Sequence, residues 1–138
     1  MSYILLVEDN QSNADMVIRL LESLHLEVKH CLSGFEGAQL ARKNRPALIL
    51  MDFNLPDIDG RVLVLQLKKQ LGGAAAPPIV ALTARTGEKE MRLAEMYGCS
   101  AFVSKPFPPE ELIELVKRLV PELVAAATSS TDDSSQMP

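Results

Sequence analysis

A chain of 138 residues that is 47% hydrophobic and 23% charged has apolar material for one compact domain with a real core and little for a second. Its net charge of −4, with no cluster of lysine or arginine, argues against direct nucleic-acid binding, which needs a phosphate-neutralising surface. The apolar runs are short and broken by charge, and Met1-Ser2-Tyr3-Ile4 has neither a basic region nor a small-residue cleavage site, so no membrane association and a cytoplasmic location are expected.

Tyr3 to Val7 reads as a strand that halts at Glu8-Asp9-Asn10, after which Ala14, Val17, Ile18, Leu21 and Leu24 recur at helical spacing. Glu27 to Leu32 interleaves Val28 and Leu32 with Glu27, Lys29 and His30, a pattern too polar for a central strand and suited to an edge. A second helix is expected from about Phe35 to Lys43. Ala47 to Asp52 is then an apolar run ending in a carboxylate, and Pro56, Asp57, Asp59 and Gly60 mark the loop beyond it. A helix from about Gly60 to Leu71 carries Val62, Leu63, Leu65 and Leu67 and stops at Gly72-Gly73. Pro77-Pro78 introduces a fourth strand, Ile79 to Leu82, which stops at Thr83-Ala84. Glu88 to Tyr97 should be helical, with Gly98 ending it, and Ala101 to Ser104 forms a last strand leading into Lys105-Pro106-Phe107. Pro108-Pro109-Glu110-Glu111 opens a final helix, with proline tolerated in the first turn and carboxylates favoured by the helix dipole. Leu112, Leu115, Val116, Leu119 and Leu123 make its apolar stripe. The domain is expected to span residues 1–124, and 125–138, rich in Ala, Thr, Ser and Asp with little to bury, to form a disordered tail.

Five strands alternating with helices imply right-handed crossovers and hence an α/β, doubly wound (βα)5 fold with a parallel sheet between two helical layers. The carboxyl ends of the first, third, fourth and fifth strands then lie along one edge, where open α/β sheets bind ligands. That gathers Glu8, Asp9, Asp52, Thr83 and Lys105 into one crevice. Three converging carboxylates repel one another and favour a bound divalent cation; an oxygen-only set that leaves room for phosphate oxygens suits Mg²⁺. With Mg²⁺ and a lysine to meet the charge of a transferring phosphoryl group, Asp52 can attack as a nucleophile and become an aspartyl phosphate. Thr83 adds a hydroxyl donor that can reach a phosphoryl oxygen.

Val7-Glu8-Asp9-Asn10, Met51-Asp52-Phe53-Asn54-Leu55-Pro56 with Asp59-Gly60, Ala81-Leu82-Thr83-Ala84, and Lys105-Pro106-Phe107 together resemble the receiver domains of two-component response regulators, in the order that family has them. The resemblance covers roughly Tyr3 to Leu123. It implies a flavodoxin-like sheet of order 2-1-3-4-5, Glu8 and Asp9 as the acidic pair holding Mg²⁺, Asp52 as phosphoacceptor and metal ligand, and Asn54 as a ligand through its backbone carbonyl. It further implies Thr83, with Ala84 beside it, as the switch hydroxyl position, Lys105 as the phosphate-binding lysine, Phe102 as the switch aromatic and Lys105-Pro106 as a cis peptide. The implied partners are a histidine kinase or histidine phosphotransfer protein upstream and a protein docking on the face of the fourth helix, fifth strand and fifth helix downstream, with the chain a monomer or a phosphorylation-dependent dimer. Three departures stand out. Phe102 lacks a tyrosine hydroxyl, Asn54 and Arg85 occupy positions that tune dephosphorylation in the family, and Gly72 to Pro78 is slightly longer than usual.

Other residues carry plainer readings. Asp57 is expected to be solvated and Asp59 to be a turn or cap residue, while Tyr97, Phe35, Phe53, Phe107 and the methionines serve packing, although Met91 and Met96 on the penultimate helix also suit an adaptable partner surface. Cys31 and Cys99 lack metal-like spacing, and His25 and His30 add no ligand cluster, so these four are assigned to packing or surface. Phe102 on residues alone is an ordinary core aromatic; the resemblance makes it a switch. The expected function is a stand-alone receiver, with no output domain after the last helix and no separate substrate beyond its own phosphoryl acceptance and release. A phosphorylation-independent adaptor is the alternative. A phosphatase or phosphotransferase for small molecules would also use an Asp at a strand end, but usually with a second carboxylate two residues on, where this chain has Asn54.

Overall fold

Three strands of this chain are buried at every position, and that is possible only where both faces of a sheet are covered. The computed structural model describes residues 2–84 and 88–127, with only the backbone of Glu88 and Glu90. Its strands are β1 (Ile4–Val7), β2 (Val28–Cys31), β3 (Leu48–Asp52), β4 (Ile79–Thr83) and β5 (Ala101–Ser104), paired in parallel in the order β2-β1-β3-β4-β5. The helices are α1 (Gln11–Glu22), α2 (Gly34–Lys43), α3 (Gly60–Gln70), α4 (Glu88–Met96), α5 (Pro109–Leu119) and α6 (residues 121–127), with a 3-10 turn at Gly73–Ala75. This is the doubly wound α/β architecture that the alternation of elements predicts.

Strand periodicity divides the core into two halves. Tyr3, Leu5, Val7, Ile49, Met51, Ile79 and Ala81 face α2, α3 and α4, where Ala38, Ala41, Leu63, Val64, Leu67 and Ala94 meet them. Ile4, Leu6, Leu48, Leu50, Val80 and Leu82 face α1 and α5 and pack on Val17, Leu21, Leu112, Leu115 and Val116. Each fully buried aliphatic side chain contributes roughly 1.5–3 kcal/mol, so the central strands fix the register. That register sets Val7 beside Met51, Asp52 beside Leu82 and Thr83 beside Ser104, which brings Glu8, Asp52, Thr83 and Lys105 level at one edge.

Helix starts are specified locally. Asn10, Ser33 and Asp59 cap α1, α2 and α3 by accepting from the amides of Asn13, Glu36 and Arg61 at 3.0, 3.2 and 2.9 Å. Asp59 is therefore the cap residue expected. Asp57 is not merely solvated: its carboxylate accepts from the backbone amides of Gly34 and Phe35 at 3.0 and 2.9 Å, so it completes the start of α2 from a different loop. Burial opposes its ionisation, but the amides of Gly34, Phe35, Asp57 and Ile58 together outweigh that and hold the carboxyl below its ordinary value. Gly60 packs where a Cβ would lie 2.7 Å from the Phe53 Cα, which ties the start of α3 to the first residue beyond Asp52.

The final helix is two helices. α5 ends at Leu119 and α6 starts at Pro121, so Leu123 belongs to α6 rather than to the stripe of α5. Pro121 has no amide hydrogen and restricts Val120, which breaks the first helix and suits the first position of the next. Helical backbone also continues to residue 127, three residues past the expected boundary, while residues 128–138 lie outside those described. Apolar residues assigned to packing face outward: Phe35 is 56% exposed, Met96 78% and Met91 about half, as are Val62 and Leu65 on α3. Asp57→Ala should lower unfolding stability by about 1 kcal/mol in urea denaturation, with Asp57→Asn costing less because its amide oxygen still accepts; an unchanged midpoint for the alanine variant would contradict the capping role.

Candidate functional site

The crevice forms because four strands stop in step. Glu8 follows β1, Asp52 ends β3, Thr83 ends β4 and Lys105 follows β5. Glu8, Asp52 and Thr83 are 1%, 6% and 2% exposed, while Asp9 projects outward. One carboxylate oxygen from each of Glu8, Asp9 and Asp52 lies within 4.8 Å of the others. Lys105 reaches into this group, with Nζ 2.7 Å from Glu8 Oε1 and 3.3 Å from Asp52 Oδ2. The other oxygen of Asp52 accepts from the backbone amide of Asn54 at 2.9 Å, so the carboxylate is oriented from both ends.

The balance of charge is uneven. Burial pushes the Glu8 carboxyl up, its hydrogen bond with Asp52 pushes it further, and Lys105 offsets only part, leaving it at about 7 instead of 4.5. Glu8 thus gives up its proton only near neutrality. The donor set fits a hard divalent cation: it is all oxygen, anionic and partly open to solvent through Asp9, so a cation with a water shell can replace that proton. Glu8, Asp9 and Asp52 could hold such an ion.

The remaining expected site residues fall around this cluster. The Lys105 amide donates to the Thr83 carbonyl at 2.7 Å, joining the ends of β4 and β5, and the Lys105–Pro106 peptide is cis. Ala84 is an exposed bend residue immediately after Thr83. Asn54 is exposed and forms an isolated antiparallel bridge with Asp59, which closes the loop after Asp52. Phe102 is half-buried against the α2–α3–α4 half of the core and borders grooves on both sides of β5, one toward α4 and one toward α5, with Arg118 at both. Arg85 lies outside the described residues. Sequence reasoning missed His30, whose imidazole donates from Nε2 to the Glu8 carbonyl at 2.7 Å; its even-numbered place on an edge strand was the available signal, since it puts the ring on the same face as Val28, toward α1.

Among the described residues no helix is long and apolar enough to cross a membrane. The family model described as "Response regulator receiver domain" matches residues 4–117. The chain is 33% identical over 114 residues to the polar-differentiation response regulator DivK of Brucella anthropi, covering 83% of this chain and 92% of that one. Other curated relatives are longer, and the chain spans 4% and 57% of two of them. Among solved structures, the Vibrio cholerae chemotaxis protein CheY4 superposes with a TM-score of 0.79 at 29% identity, covering 86% of this chain and 98% of that one. The receiver domain of the Pseudomonas aeruginosa sensor histidine kinase PA1611, described with a magnesium ion coordinated in its active-site cleft, superposes at 0.77 with 32% identity, covering 86% and 97%.

A carboxyl raised by its neighbours favours the protonated native state, so Glu8 stabilises the metal-free fold fully below its unfolded value of 4.5 and that contribution is lost as pH rises through about 7. The same proton competes with the cation. Calorimetric titration with Mg²⁺ should show affinity rising by up to about tenfold per pH unit between roughly pH 5 and 7 and levelling above; an affinity flat across that range would contradict the shared proton.

Proposed function

The chain belongs to the response regulator receiver domain family, and from that premise we propose that it accepts a phosphoryl group on Asp52 from a phosphohistidine and signals through phosphorylation-dependent protein binding. The observation that carries this reading is the convergence of Glu8, Asp9 and Asp52 within 4.8 Å, with Lys105 paired to Glu8 and Asp52. That arrangement has a nucleophile, an anionic seat for a cation and a lysine ammonium in one crevice, which in-line phosphoryl transfer can use.

Glu8, Asp9 and Asp52, with the Asn54 carbonyl, would hold Mg²⁺, which when bound neutralises phosphoryl oxygens and the carboxylates around them. Asp52 is held by the Asn54 amide with its other oxygen toward Lys105. A carboxylate oxygen of Asp52 attacks the phosphorus, the P–N bond to the donor imidazole breaks, and its electron pair stays on the leaving nitrogen. Lys105 exchanges its carboxylate partners for a phosphoryl oxygen, and the Thr83 hydroxyl donates to another. Hydrolysis of the acyl phosphate by water returns the carboxylate.

The readout passes from Thr83 and Lys105 into β5. Their backbones are already bonded, so a shift of either moves Phe102, which borders both grooves of the α4–β5–α5 face. Met91 and Met96 stand exposed on α4 and suit an adaptable protein contact. Shifting a two-state protein from about 1:99 to 99:1 requires about 5.5 kcal/mol, and charge-assisted hydrogen bonds of about 1.5–3 kcal/mol each from Lys105, Thr83 and backbone amides supply most of it. The proposed setting is the cytoplasm, with a histidine kinase or phosphotransfer protein as donor.

A small-molecule phosphodonor with Mg²⁺ should add one phosphate to the wild type and none to Asp52→Asn, read by intact mass; equal labelling of the two would overturn the assignment. Beryllofluoride, which mimics the phosphoryl group, should change affinity for the output partner, and an unchanged affinity would favour the phosphorylation-independent adaptor.

A further inference from the structure

The two carboxylates that lead the acidic cluster, Glu8 and Asp9, are consecutive, so the peptide unit between them sets how both side chains are presented. That unit consists of the Glu8 carbonyl and the Asp9 amide. β1 ends at Val7, and the register with β2 ends at Val7 beside Cys31. One more backbone bond follows, from the Glu8 amide to the Cys31 carbonyl at 3.0 Å. Past that point the neighbouring strand offers a side chain: His30 Nε2 is 2.7 Å from the Glu8 carbonyl oxygen. A carbonyl oxygen only accepts, so the ring nitrogen carries the hydrogen, and the contact holds in both the neutral Nε2–H tautomer and the imidazolium.

Glu8 is therefore gripped on both sides of its Cα by β2, through its amide by Cys31 and through its carbonyl by His30. The side chain is braced as well, since Glu8 Oε2 accepts from the Asn10 amide at 3.3 Å, and Asn10 caps α1. His30 is half-buried, so its hydrogen bond is partly protected from competing water. The geometry points to His30 as a positioning residue: it fixes the Glu8–Asp9 peptide and thereby orients the acidic pair for the cation. It touches neither the phosphoacceptor nor the reacting atoms. Groups that orient metal ligands from behind commonly change metal affinity by about 10–100-fold when removed. This role rests on the proposed Mg²⁺ site for its consequence, while the grip on the loop stands on the hydrogen bond alone.

The test compares three variants in the full chain. His30→Gln keeps an amide donor at nearly the same reach, His30→Asn is too short to reach the Glu8 carbonyl, and His30→Leu fills the space with no donor. Amide hydrogen exchange in EDTA reads the loop without metal: exchange at Glu8 and Asn10, whose amides donate to the Cys31 carbonyl and to Glu8 Oε2, should rise in the Asn and Leu variants and stay near wild type in the Gln variant. Calorimetric titration with Mg²⁺ should show binding weakened by about tenfold in Asn and Leu and by less than about twofold in Gln. Should the Leu variant fail to fold, the Gln and Asn pair decides alone. Exchange and affinity unchanged in Asn, or lost equally in Gln and Asn, would overturn the positioning role. Wild-type protein that binds no Mg²⁺ would instead overturn the cation site, while the exchange comparison still decides whether His30 grips the loop.

Discussion

Two carboxylates, Glu8 and Asp52, are buried within reach of one ammonium group, and most of what is distinctive about this protein follows from that imbalance. Burying a charge is costly unless it is paired and hydrogen-bonded, and here one lysine serves two acids with a third, Asp9, alongside. The fold accommodates the deficit by leaving Glu8 ready to hold a proton near neutral pH. A site in that condition has a standing demand for positive charge. A divalent cation can meet it.

The site is bonded into the sheet because it is built from strand ends rather than from a loop standing apart. Asp52 continues into Phe53, whose amide bonds back to the Leu82 carbonyl, and Gly60 closes tightly on Phe53 at the start of α3. Asp57, between them, holds the first amides of α2. On the other flank Thr83 is bonded to Lys105, and β5, an edge strand of the sheet, carries Phe102 between its two grooves. Asp52 is thus joined through bonded backbone to α2 and α3 on one side, and Thr83 and Lys105 to β5 and its two grooves on the other.

The parts legible in the sequence were those governed by local rules. Runs such as Leu48 to Met51 announce a strand covered on both faces, and Asp59 marks the start of α3 by its own side chain. Where expectation and structure part, the cause is a neighbour distant in sequence or a local signal left unweighed. Pro121 was such a local signal, and it splits the last helix at Val120. Phe35 and Met96 have the composition of core residues, but their helical positions turn them outward. Asp57 and His30 look like ordinary surface residues until the fold supplies partners at sequence separations of 22 or more: the amides of Gly34 and Phe35 for one, the Glu8 carbonyl for the other.

The sequence by itself determined the alternation of strands and helices, the position of a chemically competent residue at each of four strand ends, and the family to which those residues belong. These follow from period, composition and short motifs, all of which act along the chain. Tertiary structure alone decided that Lys105 pairs with Glu8 and Asp52 together, that Glu8 is raised to about 7 while Asp9 stays exposed, and that His30 holds the peptide between them. Burial and hydrogen-bond direction depend on what arrives from elsewhere in the chain, and no spacing within it encodes how deeply a carboxylate will be covered.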